Sequence, residues 1–353
     1  MRNLVHIKEV RVEYARRPHA ERPIRDALQT LSGGGHVAVE VIADDGLVGQ
    51  ATTSFGRGDG APHTLAVLIE EELAPKVVGQ DAERIGQIIE SLKAETEYHG
   101  TDGIATFGIS VLDVALWDLL GKAHGVPTYQ LWGAYRDRIP AYAMVGWSNY
   151  SVDELRRQCV LAVEEGFRGV KLKAGAPTLE EDVHRIESVR AEIGPDIKIM
   201  VDANQVLTVN EALRRGEAFG DLGVGWFEEP LRADDIDGYA ELTRRLRIPV
   251  ATGENLYGAR AFRRFFERRA IGIVQPDLRR AGGPTEIRAI GALAAAFDVP
   301  YASHGGGPAA LSLLLCAPSA IWLETGLRAS PEAFPRLEDG CALAPAGPGF
   351  SWE

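Results

Sequence analysis

The rhythm of hydrophobic and polar positions changes along this chain near Ile139. Before that point, from Leu4 to about Thr53, apolar residues alternate with polar ones, as in strands with one buried face. Val37-Ala-Val-Glu-Val-Ile42, a turn at Asp44-Asp45-Gly46 and Leu47-Val-Gly-Gln50 read as a hairpin. A polar loop, 16–35, separates it from the first strand, and its run Gly33-Gly34-Gly35 predicts a mobile hinge. Apolar spacing then becomes helical over Thr64–Leu73 and Ile85–Leu92, and Ile104–Ala123 predicts a long buried helix. The block up to about residue 130 is therefore expected to form an α+β domain.

From Ile139 onward, strand-like and helix-like runs alternate. The predicted strands are Ala141–Gly146, Gly169–Lys173, Lys198–Asp202, Val224–Glu228, Pro249–Glu254, Gly272–Asp277, Val299–His304 and Ala320–Glu324. Helical patterns fall between most of them, over Val152–Glu165, Leu179–Ile193, Val209–Phe219, Gly238–Leu246, Ala259–Arg268 and Thr285–Phe297. Alternation of this kind implies a parallel sheet, and eight repeats imply a closed (β/α)8-type barrel. Little after the last strand reads as helix. The tail, through Gly347-Pro-Gly-Phe-Ser-Trp352, is expected to pack back on the first domain. The resulting division is 1–130, 131–330 and 331–353.

Composition narrows the function. With 353 residues, 45% hydrophobic and 25% charged, the chain can bury a large core. The net charge of −12 argues against nucleic acid as a partner, since phosphate binding needs a basic surface. No signal-peptide core and no transmembrane run is read, and Cys159, Cys316 and Cys341 form no disulfide or metal pattern. A cytoplasmic protein with neither nucleic acid nor membrane as partner is expected.

The chemistry lies where the strands end. At the C-terminal mouth of such a barrel the chain places Lys171 and Lys173, then Asp202, Glu228, Glu254, Asp277, His304 and Glu324. One such carboxylate alone is more often a turn or helix-cap residue, but a series on consecutive strands is hard to obtain from capping. Lys171 and Lys173 share a strand face, and mutual repulsion is expected to ease deprotonation of each. Asp202, Glu228 and Glu254 come from three successive strands. Converging carboxylates need a cation among them, and an all-oxygen set favours Mg2+, with Mn2+ as the other candidate; a salt-bridge network with the lysines is the alternative. Asp277 can hold the His304 imidazole in place, although a lone histidine can also be a satisfied core residue. Glu324, among other carboxylates, is expected to stay protonated and donate a hydrogen bond.

Together these motifs resemble the enolase superfamily and, within it, the mandelate racemase subgroup. The resemblance rests on Lys171-Leu-Lys173, Val201-Asp202-Ala-Asn204-Gln205, Trp226-Phe-Glu228-Glu229-Pro230, Gly253-Glu254-Asn255, Pro276-Asp277, Ser303-His304 and Trp322-Leu-Glu324. It implies an α/β fold, a modified (β/α)7β TIM-like barrel with an N-terminal α+β capping domain completed by the C-terminal tail. Asp202, Glu228 and Glu254 would bind Mg2+. Lys173 would be one base, and His304 with Asp277 the other, on the opposite substrate face. Lys171 would hold the substrate carboxylate, Glu324 would donate to the enolate oxygen, and Asn204 would support the metal or carboxylate site. Gly253-Glu254-Asn255 and the Asp277/His304 pair argue against the muconate lactonising subgroup, which has Asp-Glu-Ser and a lysine at the corresponding places. Gly146-Trp147 stands where the mandelate-specific enzyme has Ser-His, which puts mandelate in doubt.

The resemblance also assigns substrate choice to the cap loop, where Arg25, Asp26 and Gln29 would meet hydroxyl groups; alternatively Ile24, Leu28 and Trp147 line the pocket. Removal of a proton α to a carboxylate follows. The expected activities are, in order, acid-sugar dehydratase, 2-hydroxyacid racemase or epimerase, and sugar-lactone cycloisomerase. A catalytically silent ligand-binding barrel is the non-enzyme alternative. A small carboxylate is the expected partner, in a homo-oligomer.

Overall fold

The structure, a computed structural model, describes residues 5–56, 58, 60–330 and 333–350. Leu4, the expected start of the first strand, and the tail residues Ser351 and Trp352 lie outside that set. The chain opens with β1 (Ile7–Arg16), a two-residue hairpin of β2 (Ile24–Arg25) and β3 (Thr30–Leu31), then β4 (Gly35–Ala43) and β5 (Val48–Thr53). Strands β1, β4 and β5 form an antiparallel sheet. Val37, Val39 and Val41 on alternate positions of β4 are buried, so one face of the sheet meets helices Ile85–Glu95 and Ile104–Ala123. The glycine run is no free hinge. Gly35 is paired with Arg16 in the sheet, and a Cβ there would lie 2.3 Å from the Ala15 carbonyl oxygen.

The barrel follows as β6 (Arg138–Gly146), β7 (Gly169–Lys173), β8 (Lys198–Asp202), β9 (Phe227–Glu228), β10 (Val250–Thr252), β11 (Ile273–Val274), β12 (Tyr301–Ala302) and β13 (Ala320–Thr325). Neighbours pair in parallel in that order, and β13 closes on β6. Helix starts between strands are set by local chemistry. Ser151, Thr178 and Thr208 each accept from the backbone N–H of a glutamate three residues on, Glu154, Glu181 and Glu211. These are the capping-box signatures of the sequence, each cap contributing about 1 kcal/mol.

Seven long helices separate the eight strands, as a (β/α)7β barrel requires. The seventh, Pro308–Cys316, has no amphipathic pattern because every residue from Ala309 to Leu315 is buried; period-based reading misses it for that reason. Helix Ile104–Ala123 is long and apolar enough to cross a membrane by length and composition. Most of it is buried between cap and barrel, with Asp113 and Asp118 bonded inside the protein. The tail forms a hairpin of β14 (Leu337–Glu338) and β15 (Cys341–Leu343), and β15 pairs antiparallel with the start of β6. Beyond it, Gly349 bridges Pro127, and Phe350 N–H donates to Asp118.

Asp113 joins the two parts of the fold. From the cap's long helix its carboxylate accepts from Thr285 N–H (2.7 Å) and Thr285 Oγ1 (2.8 Å), at the start of barrel helix Pro284–Ala296. Burial pushes its pKa up to about 7 despite the Thr285 bonds. The folded protein therefore holds a proton that the unfolded chain has lost above its ordinary carboxylate range. Stability from this group is fullest at low pH, falls as pH rises from about 4 to 7, and is constant above that. Asp113→Asn removes the titration. Relative to the wild type it should gain stability across that window, by up to about 4 kcal/mol. Urea unfolding of both proteins at pH 4.5 and 8 checks this; a difference independent of pH would contradict it.

Candidate active site

Lys171 and Lys173, two residues apart on β7, point together into the barrel mouth and are buried. Lys171 Nζ donates to Glu228 (2.7 Å) and Glu324 (2.5 Å), and Lys173 Nζ to Asp202 (2.5 Å). Trp147 lies against Lys173, its ring centroid 5.5 Å from the ammonium. Asp202 and Glu228 end β8 and β9. Glu254 stands one residue past Gly253, whose φ of 138° turns the chain after β10 and favours a glycine. One ligand oxygen from each of these three carboxylates lies within 4.8 Å of the other two, and all three residues are buried.

His304 and Asp277 sit on a parallel bridge past β11 and β12. His304 Nδ1 is 2.8 Å from Asp277 Oδ2, and Nε2 is 2.8 Å from Glu254 Oε2. Asp277 also caps a short helix, its Oδ1 accepting from Arg279 and Arg280 N–H groups, so the capping role and the histidine contact coexist on different oxygens. Arg279 grips the same carboxylate through Nε and Nη2 and reaches Ser54 of the cap with Nη1. The spacing of the sequence gives no sign of Arg279, nor of Glu229. Glu229 is fully buried and holds both its oxygens on Asn255 Nδ2, at 2.9 and 2.8 Å.

Two electrostatic expectations are corrected. Burial disfavours the charge on Lys171, but Glu228 and Glu324 outweigh it and hold its pKa well above that of an ordinary lysine. Burial likewise works against the Lys173 charge, and Asp202 outweighs burial together with the repulsion from Lys171. Repulsion between the lysines is present but is the smaller effect. The direction for Glu324 is also opposite to the expected one. Burial raises it, and Lys171 and His304 pull it below the usual carboxylate range. For His304, burial is outweighed by Glu254 and Asp277, which push it up to about 10. Burial drives Glu228 up to about 7 against the pull of Lys171, with Asp202 and Glu324 adding to it.

In the cap loop, Asp26 and Gln29 bond to each other. Asp26 accepts from Leu28 N–H, Gln29 N–H and Gln29 Nε2 within its own turn. Arg25 is bound by its backbone, its N–H to Asn149 and its carbonyl to Ser148, while its side chain is exposed. Of the cap residues expected to read substrate, Arg25 has an exposed side chain and Gln29 is partly exposed, and Trp147 joins the site from the barrel side.

This site fits a divalent cation. Three buried carboxylates converge without a sulfur or nitrogen ligand, and Asn204, 7% exposed beside them, has an Oδ1 with no hydrogen-bond partner among the described residues. A parallel barrel with a carboxylate cluster, two lysines and a His–Asp pair at its mouth defines a metal-dependent enzyme acting on an acidic C–H bond. Residues 8–133 match the family described as mandelate racemase / muconate lactonizing enzyme, N-terminal domain, and residues 154–353 match enolase C-terminal domain-like. The chain belongs to this family of the enolase superfamily, whose members include dehydratases and cycloisomerases.

Among its relatives is arabinonate dehydratase of Saccharolobus solfataricus, 34% identical over 93% of this chain and 91% of that protein. Another is 3,6-anhydro-alpha-L-galactonate cycloisomerase of Streptomyces coelicolor, 32% identical over 97% and 95%. The crystal structure of L-talarate/galactarate dehydratase from Salmonella typhimurium LT2 liganded with Mg and L-lyxarohydroxamate superposes with a TM-score of 0.91 at 29% identity, covering 99% of this chain and 90% of that one.

Mg2+ at a hundred times its Kd should stabilise the fold by about 2.7 kcal/mol. Glu228→Gln should lose most of that gain while keeping its far-UV circular dichroism. Thermal melts with Mg2+ and with chelator check this; a wild-type Tm that ignores Mg2+ would contradict the metal assignment.

Proposed function

We propose that the protein is a Mg2+-dependent acid-sugar dehydratase. The observation that carries the reading is the placement of two proton-transfer groups, Lys173 and His304, on either side of the carboxylate cluster. Lys173 comes from β7 and pairs with Asp202, whereas His304 follows β12 and pairs with Glu254. Asp202, Glu228 and Glu254 would hold Mg2+, which when bound supplies Lewis-acid stabilisation for a substrate carboxylate that must accept a second negative charge. Lys171 would bind that carboxylate, and Glu324 would donate to the developing enolate oxygen once Lys171 has turned from it to the substrate and it has taken up a proton.

The proton transfers fall to the chain's own groups. A base takes the α-proton, the electron pair of that C–H bond moves toward the carboxylate carbon, and on return expels the β-hydroxyl. His304, oriented by Asp277, is placed to give that oxygen a proton so that water leaves. The enol then ketonises to a 2-keto-3-deoxy acid. Both groups are paired with carboxylates of the cluster, so a cation taking those oxygens would loosen the pairs and favour the neutral base.

Relatives named for arabinonate and for talarate or galactarate support a polyhydroxylated acid as substrate. Opposed proton-transfer groups also serve racemisation or epimerisation, in which the proton returns to the other face; the cycloisomerase relative keeps lactone chemistry as a third outcome.

A panel of aldonates, aldarates and their lactones, incubated with enzyme and Mg2+ in D2O, distinguishes these. Formation of a 2-keto-3-deoxy acid is expected. Solvent deuterium at the α-carbon without loss of water would replace dehydration by racemisation. For the active acid, His304→Asn should lower turnover about 10³-fold while Lys173-dependent α-exchange persists for one configuration. Equal loss of exchange for both configurations, with metal and acid still bound, would sink the two-base assignment.

A further inference from the structure

Beneath the carboxylates the barrel interior carries a second polar layer. Trp226 Nε1 and Gln275 Nε2 both donate to Glu228 Oε2, at 3.1 and 3.0 Å, while Oε1 is taken by Lys171. Tyr142 Oη donates to Glu324 Oε2 at 2.5 Å and lies 3.5 Å from Gln275 Nε2. All three residues are at most 2% exposed, and the rings of Tyr142 and Trp226 meet edge to face at 5.2 Å.

Gln275 is the informative member. Its Oε1 is buried and has no hydrogen-bond partner among the described residues, so half its amide is unmatched. An unmatched buried acceptor is destabilising, and an apolar side chain of the same size would avoid it. Turning the amide over would not help, because that would press its oxygen against the Glu228 carboxylate. What the amide contributes is its N–H, aimed at Glu228.

We infer that Gln275 and Trp226 are positioning residues for the cation: they hold the Glu228 carboxylate in one orientation, so that binding a metal does not have to order it. Tyr142 holds Glu324 in the same manner, outside the cation's carboxylate set. The inference rests on the reading of Glu228 as a metal ligand. Hydrogen-bond partners of ligating carboxylates typically account for 10–100-fold in metal affinity.

The test is titration of the full-length protein with Mn2+, free ion being read by electron paramagnetic resonance, together with thermal melts. Gln275→Met should weaken Mn2+ about 10-fold with Tm unchanged or raised, since it removes an unmatched acceptor. Trp226→Phe should weaken Mn2+ in the same direction, and Tyr142→Phe should leave the affinity unchanged. Wild-type affinity in Gln275→Met, or an equal loss in Tyr142→Phe, would overturn the inference. Undiminished Mn2+ binding by Glu228→Gln would instead remove Glu228 from the ligand set, a separate failure.

Discussion

Asp202, Glu228, Glu229, Glu254, Asp277 and Glu324 are all buried at one end of the same barrel. Mutual repulsion in a poorly solvated place would forbid this without matching positive charge. The chain meets the demand with Lys171, Lys173, Arg279, Arg280 and His304, each in contact with at least one of those carboxylates. Much of the rest follows. Three of the cations that balance the cluster, Lys171, Lys173 and His304, are the groups the proposed chemistry uses, and a divalent ion entering the cluster would compete with them for the same oxygens. Metal binding and activation of the bases are then one electrostatic event.

Rigidity around this charge has to come from outside it. Glu228 is gripped from below by Trp226 and Gln275, and Asp277 from the side by Arg279, which also reaches Ser54 of the cap. The cap is locked in turn by Asp113 on Thr285 and by Lys93 on Glu286, whose second oxygen takes Ala259 N–H at the start of another barrel helix. A displacement of the cap therefore bears on the barrel side that carries Asp277 and His304.

The ends of the strands were legible because ionisable residues at the close of apolar runs break the expected pattern. Lys171, Lys173, Asp202, Glu228, Glu254, Asp277, His304 and Glu324 all stand at the mouth. The helix starts at Val152, Leu179 and Val209 were legible from apolar spacing. Three features were not. Pro308–Cys316 has no polar face to give it a period. Gln275 and Tyr142 lie inside strand-like runs, where one polar or aromatic residue carries no signal until its partners across the barrel are known. The charge states depended on distances: Lys171 and Lys173 share a face as expected, but each lies closer to carboxylates than repulsion between neighbours on a strand can offset.

Substrate polarity has to be argued from the barrel and not from the cap loop. Asp26 spends both oxygens inside its own turn, and the loop is attached by Ser148 and Asn149 to its backbone and by Arg22 to Glu154. Ala27 of this loop lies beside Gly175, its Cβ 3.2 Å from where a Cβ on that glycine would stand. That part of the loop is small and apolar, and offers little to a row of hydroxyls. Groups that could still meet a hydroxyl include the exposed Arg25 side chain, Asn204 Oδ1 and the His304–Asp277 pair beside the carboxylate cluster. A hydroxyl at the β-carbon beside such a pair is in position to leave as water, and hydroxyls further out need only remain partly solvated. A polyhydroxy acid is thus compatible with this loop because the loop does not have to recognise every hydroxyl, while an aryl acid would gain apolar contact from Trp147 without giving the His304–Asp277 pair a leaving group to protonate.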